Sequence, residues 1–412
     1  MYKVLFIHKV FPGQFIHLAR RLACLPGVQV DAMASEPAET VDGVTLHRYV
    51  LHNGGESRTH PYLTRTEAAV WQGQSVLAAC TLLSQAGYRP DLVIGHHGWG
   101  ELLFVKDLWP DVPLVGYFEF YYQGTGADVG FDPPAPLSLY DLARVRALNM
   151  VNLLQLEAVD RGVSPTRWQR SLHPRPYQEK LALIHEGIDT AIASPGVPTA
   201  MLLPDGHRLS PGQEIVTYVA RDLEPYRGFH IMMRAAVPLL RSRPTTRLVI
   251  AGGDSSCYGP PPSGGESWRE HMLAELAGDL PTDRVHFTGR IPHADFINLM
   301  RLSRAHLYLT YPFVLSWSML QAMACGVSLV ASDTGPVTEV VQHGVNGLLV
   351  PFHDPVAVAS GLATALSMSA KPRKQLQMAA RQTVVERFDL EKVGLPGWLE
   401  MLHREFGLPR PF

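Results

Sequence analysis

Residues 307–350 hold the densest set of groups able to handle an anion. Leu307–Leu309 reads as a short apolar strand, followed by a loop. A helix comes next, with Met319, Leu320, Met323 and Ala324 on one face and Gly326 as its stop. Ser328–Ala331 reads as a second strand, and Asp333-Thr334-Gly335-Pro336 as a turn. This β-loop-α-β order builds a parallel sheet. Its loop aims backbone N–H groups and a helix N-terminus above the strand ends, where a phosphate would sit well. Three other strand ends carry reactive or permissive residues. In Phe11-Pro12-Gly13-Gln14-Phe15, Gly13 lets backbone approach a ligand and Gln14 can donate at the start of a helix. Gly252 and Gly253 close the run that ends at Ala251 and permit the same approach. Glu119 follows the apolar run Pro113–Phe118 and offers a carboxylate to developing positive charge.

Metal chemistry is not indicated. His96, His97 and Glu101 lie close in sequence, but adjacent histidines point in different directions and no His-Glu-x-x-His helix is present. No Asp-x-Asp occurs in the chain. His96–Glu101 reads instead as a loop lining a cleft, with Trp99 as an aromatic face. The four cysteines (24, 80, 257 and 325) lack paired spacing and fit reduced thiols of a cytoplasmic protein. The net charge of -2 advertises neither nucleic acid nor an anionic membrane as a partner. No run of eighteen apolar residues suggests a membrane span, and Met1–His8 reads as a first core strand rather than a signal peptide.

These residues need a scaffold that presents strand ends. A chain of 412 residues fits two domains of roughly 200. Strands are expected over Lys3–Ile7, Val28–Asp31, Val44–Tyr49, Asp91–Gly95 and Pro113–Phe118, with helices over Phe15–Leu25 and Thr64–Gln85. The second half repeats the alternation with strands over Ile215–Ala220, Arg247–Ala251, Val285–Thr288 and Leu307–Leu309. Such alternation predicts doubly wound parallel sheets with ligands at the strands' C-terminal ends. Proline and glycine between Ala193 and Gly206 mark a hinge, giving domains of 1–195 and 205–390. Tyr258–Gly265 reads as a mobile surface loop inside the second domain.

The stretch Ala322-Met323-Ala324-Cys325-Gly326, together with Pro336, Glu339, Gly344 and Gly347, resembles the donor signature of retaining GT4-type glycosyltransferases of the GT-B superfamily. The two glutamates of that signature are replaced, by Phe313 and Gln321. The resemblance implies an α/β GT-B fold, two Rossmann-like domains facing across a cleft, with the last helix (393–412) packing back on the first. It implies a nucleoside-diphosphate sugar as co-substrate and no cofactor or metal. Arg221, with Arg227 in place of the usual lysine, would clamp the diphosphate, where guanidinium groups stabilise the leaving group's charge. The backbone of Val314, Leu315, Ser316, Trp317 and Ser318 would hold phosphate and sugar, with Gln321 at the ribose and Glu339 as a further polar contact. Gly13, Gln14, Gly252 and Gly253 would approach the donor, and the loop at Arg290 and Ile291 would cradle the base. Glu119 stands where the family often has histidine beside the sugar. His97, Trp99 and Asp128 are acceptor candidates, and His185–Asp189 resembles a family turn near the domain junction. The acceptor class stays open between carbohydrate, lipid-linked, peptide and small molecule, which leaves room for a peripheral membrane contact. Two other readings stay open: a nucleotide-sugar 2-epimerase of the same architecture, and a non-catalytic paralogue that binds the donor.

Overall fold

The computed structural model describes residues 1–35, 38–51, 59–132 and 136–410. The chain forms two compact units. One comprises Met1–Gly130, Ala135–Gly187 and Leu390–Phe412, the other Phe131–Pro134 and Ile188–Asp389.

In the first unit the strands are β1 (Tyr2–Ile7), β2 (Val28–Ala34), β3 (Val44–Arg48), β4 (Leu92–His96), β5 (Leu114–Tyr117), β6 (Arg161–Ser164) and β7 (Leu181–Leu183). They pair in parallel in the order β3-β2-β1-β4-β5-β6-β7. Val4, Leu5, Phe6 and Ile7 are all fully buried, as expected of a parallel strand covered on both faces. One face packs Val4 and Phe6 against Leu18, Leu22 and the C-terminal residues Leu395, Trp398 and Met401. The other packs Leu5 and Ile7 against Val76, Leu102 and Leu156. The helix Leu395–Phe406 is thus part of this unit's core, and Phe406 accepts from Tyr2 Oη at 2.7 Å. Residues 411 and 412 of the expected 393–412 segment lie outside the described residues.

The second unit opens with an antiparallel pair, β8 (Met201–Leu202) and β9 (Arg208–Leu209). Its main sheet comprises β10 (Ile215–Asp222), β11 (Arg247–Gly253), β12 (Val285–Gly289), β13 (Ala305–Tyr308), β14 (Ser328–Ser332) and β15 (Leu348–Val350). These pair in parallel in the order β12-β11-β10-β13-β14-β15. Core clusters again lie on both faces. The helix Trp317–Cys325 ends at Gly326, whose φ of 74° closes it in the left-handed cap conformation.

Two expectations differ from what is observed. The chain changes units at Gly187–Ile188, so 188–195 folds with the second unit. The proline-rich stretch is tied down there: Asn298 exchanges two hydrogen bonds with the Thr199 backbone, and Arg301 Nε donates to Ser194 O. Proline and glycine broke the periodicity without freeing the backbone, because side chains satisfy its polar groups. The loop expected to be mobile from Tyr258 is also anchored at its start. The buried carboxylate of Glu224 accepts from the N–H groups of Cys257, Tyr258 and Gly259 at 3.0–3.2 Å. Among the described residues no helix is long and apolar enough to cross a membrane.

Candidate active site

In both sheets the strand order reverses once, between β1 and β4 and between β10 and β13. A doubly wound sheet opens a crevice beyond the C-terminal ends of its strands at such a reversal. Each unit concentrates polar side chains there.

In the second unit a pocket of about 420 Å³ lies beyond β10, β11 and β13. Val219, Ala220 and Arg221 line it from β10, Ala251 and Gly252 from β11, and Arg290 and Ile291 from the loop after β12. Ser316, Ser318 and Gln321 close it from the helix Trp317–Cys325 and its cap. Ser316 is that helix's N-cap, with its Oγ 3.3 Å from the Ser318 N–H. Two cations therefore border the cavity beside a helix N-terminus. The Arg221 and Arg290 side chains are 74% and 61% exposed, so both can reach an incoming anion. Arg290 Nη2 is steered by the buried carboxylate of Asp222 at 2.6 Å, whose other oxygen accepts from Cys257 Sγ at 2.7 Å. Burial, followed by that carboxylate, pushes the Cys257 thiol up to about 11. Gln321 pairs with His293 across the pocket edge, Nε2 to Nε2 at 2.9 Å.

Arg227 differs from expectation. It does not line the pocket. Its buried Nη1 donates to Tyr308 Oη at 3.1 Å, Thr310 Oγ1 at 2.8 Å and Val314 O at 3.0 Å, and its guanidinium lies 5.7 Å from the Tyr258 ring. Tyr308 Oη also accepts from the Ser316 N–H at 3.0 Å. Arg227 is thus built into the wall behind the loop Val314–Ser316. The cause is local: the short helix Pro225–Arg227 follows buried Glu224, and a buried guanidinium must be satisfied by protein acceptors. Val314, Leu315 and Trp317 shape the loop without lining the pocket, and neither Gly253 nor Glu339 lines it. The Glu339 carbonyl accepts from Arg387. A separate concavity of about 390 Å³ near Asp333, Thr334 and His353 contains no lysine or arginine and suits a phosphate poorly.

In the first unit the ends of β1, β4 and β5 bring together His8, Gln14, His96 and Glu119. Gln14 Nε2 donates to Glu119 Oε1 at 2.9 Å, and His96 Nε2 lies 3.0 Å from Glu119 Oε2. His8 Nε2 meets Gln14 Oε1 at 2.9 Å. Gly13 has φ 48°, and a Cβ there would fall 2.5 Å from the His8 ring. Its glycine is therefore required by this histidine, whatever a ligand asks. Burial, and then neighbouring His96, lower His8 to about 4, while burial lowers His96 to about 3. Both rings are neutral near pH 7. Trp99, 39% exposed, packs 4.8 Å from His96 and 5.5 Å from His8.

Two acceptor candidates prove to be interior. His97 is buried with its ring nitrogens on the Tyr117 and Phe120 carbonyls, at 2.8 and 3.1 Å. Adjacent residues at a strand end point to opposite sides, and His96 took the outward one. Asp128 is 4% exposed. At the expected junction turn, His185 Nδ1 accepts from the Gly187 N–H at 3.0 Å. Among the described residues no group of three or more His, Cys, Asp or Glu is arranged to hold a metal ion.

His8, Asp222 and His293 join these clusters without a motif to mark them. The first two had a usable signal, because each stands at or just beyond the C-terminal end of a strand next to the reversal.

Comparison with known proteins agrees with this architecture. Residues 26–193 match the model of the glycosyl transferase family 4 group, and residues 203–383 that of glycosyl transferases group 1. A D-inositol 3-phosphate glycosyltransferase of Thermobispora bispora is 27% identical over 366 residues, covering 85% of this chain and 80% of its own. One of Kribbella flavida is 28% identical over 387 residues, covering 89% and 84%. Among solved structures, sucrose-phosphate synthase of Thermosynechococcus elongatus superposes with a TM-score of 0.71 over 99% of both chains at 19% identity. HepE of Anabaena, in complex with UDP and glucose, gives 0.66 over 98% of this chain and all of its own at 16% identity. With two family models covering both units in turn, relatives along most of its length and GT-B neighbours throughout, the chain belongs to the GT4-type glycosyltransferases of the GT-B superfamily.

Proposed function

We propose that the protein transfers a sugar, with retention of configuration and without a metal ion, from a nucleoside-diphosphate sugar to an acceptor. The observation that carries this is the second unit's pocket: two exposed guanidinium groups, two serine hydroxyls and a helix N-terminus border one cavity at the strand-order reversal. That set suits a diphosphate. Arg221 and Arg290 hold the phosphates, and the charge that grows as the nucleotide leaves is offset by guanidinium groups already in place. The Ser316 and Ser318 hydroxyls and the N-terminus of the helix they open, in a loop fixed from behind by Arg227 and Tyr308, take the remaining phosphate oxygens. Gln321 and His293 offer a polar edge to the ribose. In the first unit Glu119 offers its carboxylate to a sugar hydroxyl. The GT4 membership supports retention.

An inositol phosphate, after the relatives' names, is the first acceptor to try, and UDP-glucose, after the HepE complex, the first donor. The test is a thermal-shift and calorimetric panel of UDP, GDP, ADP, their nucleosides and their common sugar conjugates, with EDTA present throughout. A diphosphate that stabilises the protein where its nucleoside does not supports the reading. Turnover follows with acceptors, the product's anomeric configuration being read by NMR. Binding of no diphosphate sinks the proposal. Release of an epimerised free sugar from the donor in the absence of acceptor would replace transfer with epimerisation.

A further inference from the structure

The polar cluster of the first unit has an internal logic that no single residue reveals. His96 Nδ1 accepts from the Gly98 N–H at 2.9 Å. A neutral ring must then carry its proton on Nε2, and that proton points to Glu119 Oε2 at 3.0 Å. His8 Nδ1 accepts from the Val10 N–H at 3.0 Å, so its proton also sits on Nε2, facing Gln14 Oε1 at 2.9 Å. Because that oxygen accepts, the amide is fixed with Nε2 outward, donating to Glu119 Oε1 at 2.9 Å. Two backbone N–H groups, each two residues after its histidine, thus set two proton positions. Both chains of donation end on one carboxylate.

We propose that His96 and the His8–Gln14 pair are positioning residues that hold Glu119 as an oriented acceptor for a carbohydrate hydroxyl. This rests on the role given to Glu119 above. Each carboxylate oxygen meets an internal donor, Gln14 Nε2 at Oε1 and His96 Nε2 at Oε2, so the plane of the group is set. The Glu119 side chain is 24% exposed, whereas His8 and His96 are 2% and 3% exposed. The acceptor therefore meets solvent while its supports do not. Burial of both rings keeps them neutral across the working pH range, so neither proton position changes with pH. Trp99, partly exposed and packed against both histidine rings that support the carboxylate, adds an aromatic face to the cluster, and an aromatic face near a fixed acceptor suits a sugar ring.

The experiment has two arms. The first reads ring nitrogens by long-range 1H–15N NMR of the full chain, the two histidines being assigned from His8→Gln and His96→Gln. Both should show the Nε2–H form from pH 5.5 to 8. An Nδ1–H form, or an imidazolium at pH 6, at either ring overturns the network whatever the protein binds. The second arm measures release of nucleoside diphosphate from the donor found by the panel above. His96→Phe should lower kcat by about 10–100-fold with KM changed less than about threefold, and His96→Gln, which keeps a donor near the carboxylate, should recover part of that loss. On a Glu119→Gln background the same His96→Phe change should add less than about twofold. Full additivity, or a loss confined to KM, means His96 serves folding alone and refutes the positioning role. A wild type that turns over no donor removes the functional reading, while the first arm still decides the hydrogen-bond pattern.

Discussion

Glu101 supports the turn that carries His8, and its titration gives a test whose size follows from the structure. The side chain is fully buried and Oε1 accepts from the Lys9 N–H at 3.0 Å. Oε2 is buried without a hydrogen-bond partner among the described residues. Burial raises the carboxyl from 4.5 to about 7, against the N–H groups of Glu101, Lys9 and Trp99, which favour its ionised form. The folded state therefore prefers the protonated acid. The stability linked to this group is fully present below pH 4.5, falls as pH rises toward 7, and is gone above. At about 1.4 kcal/mol per pH unit the loss comes to about 3 kcal/mol. Glu101→Gln imitates the protonated form at every pH. It should match wild type within about 0.5 kcal/mol at pH 4.5 and exceed it by about 2–3 kcal/mol at pH 8. Urea unfolding followed by tryptophan fluorescence at both pH values, with wild type and variant side by side, cancels all groups that titrate alike. A variant that is less stable than wild type at pH 8, or whose advantage does not change between the two pH values, refutes the buried-acid argument.

Three further outcomes are expected. Arg221→Ala should weaken nucleoside-diphosphate binding by about 1–2 kcal/mol, less than a buried pair would cost because the side chain is largely exposed, and should leave nucleoside binding and unfolding unchanged; calorimetry on both ligands checks it. Arg227→Met should instead lower stability by about 3 kcal/mol, since it leaves Thr310 Oγ1 and Val314 O without this buried donor, and should disorder the Val314–Ser316 loop in hydrogen exchange. Activity should survive exhaustive chelation; a loss restored only by Mg²⁺ or Mn²⁺ would show that the arginines do not suffice for the leaving group.

The sheets were legible because parallel strands covered on both faces read as continuous apolar runs. Lys3–Ile7 and Ile215–Ala220 differ from β1 and β10 by one and two residues at an end. The short strands β6, β7 and β15, of three or four residues, were harder to read, since a run that brief carries no period. Within the site, residues fixed by strand position were readable: Glu119, Arg221 and Ser316 stand where a strand end or helix cap must put them. What could not be read was direction. Nothing in Arg221 and Arg227 as letters says that one guanidinium faces the cavity while the other faces Tyr308 and Thr310. That choice is made by Glu224, whose burial against the 257–259 backbone sets the turn between them. The same holds for His96 and His97, whose roles separate only once the sheet assigns them opposite sides.

The two residues that the resemblance sets against the signature's glutamates, Phe313 and Gln321, are built into their surroundings. Phe313, in place of the first glutamate, packs edge-on to Tyr258 at 5.0 Å and Tyr226 at 5.4 Å, while Tyr226 stacks on Tyr311 at 4.5 Å. Tyr258 in turn covers the Arg227 guanidinium and is held by Glu224 through its N–H. A carboxylate at 313 would have to enter this aromatic group at a desolvation cost. Gln321, in place of the second glutamate, pairs with His293, itself a lining residue of the pocket. Each replacement therefore comes with partners suited to its own chemistry, and the exposed Arg221 and Arg290 remain beside the cavity. A site drifting after loss of use would not be expected to keep two exposed cations converging on one pocket, with one of them steered by a fully buried aspartate. On the proposed function, this favours a working donor site in which aromatic packing at position 313 stands where the resemblance expects a charged hydrogen-bond acceptor.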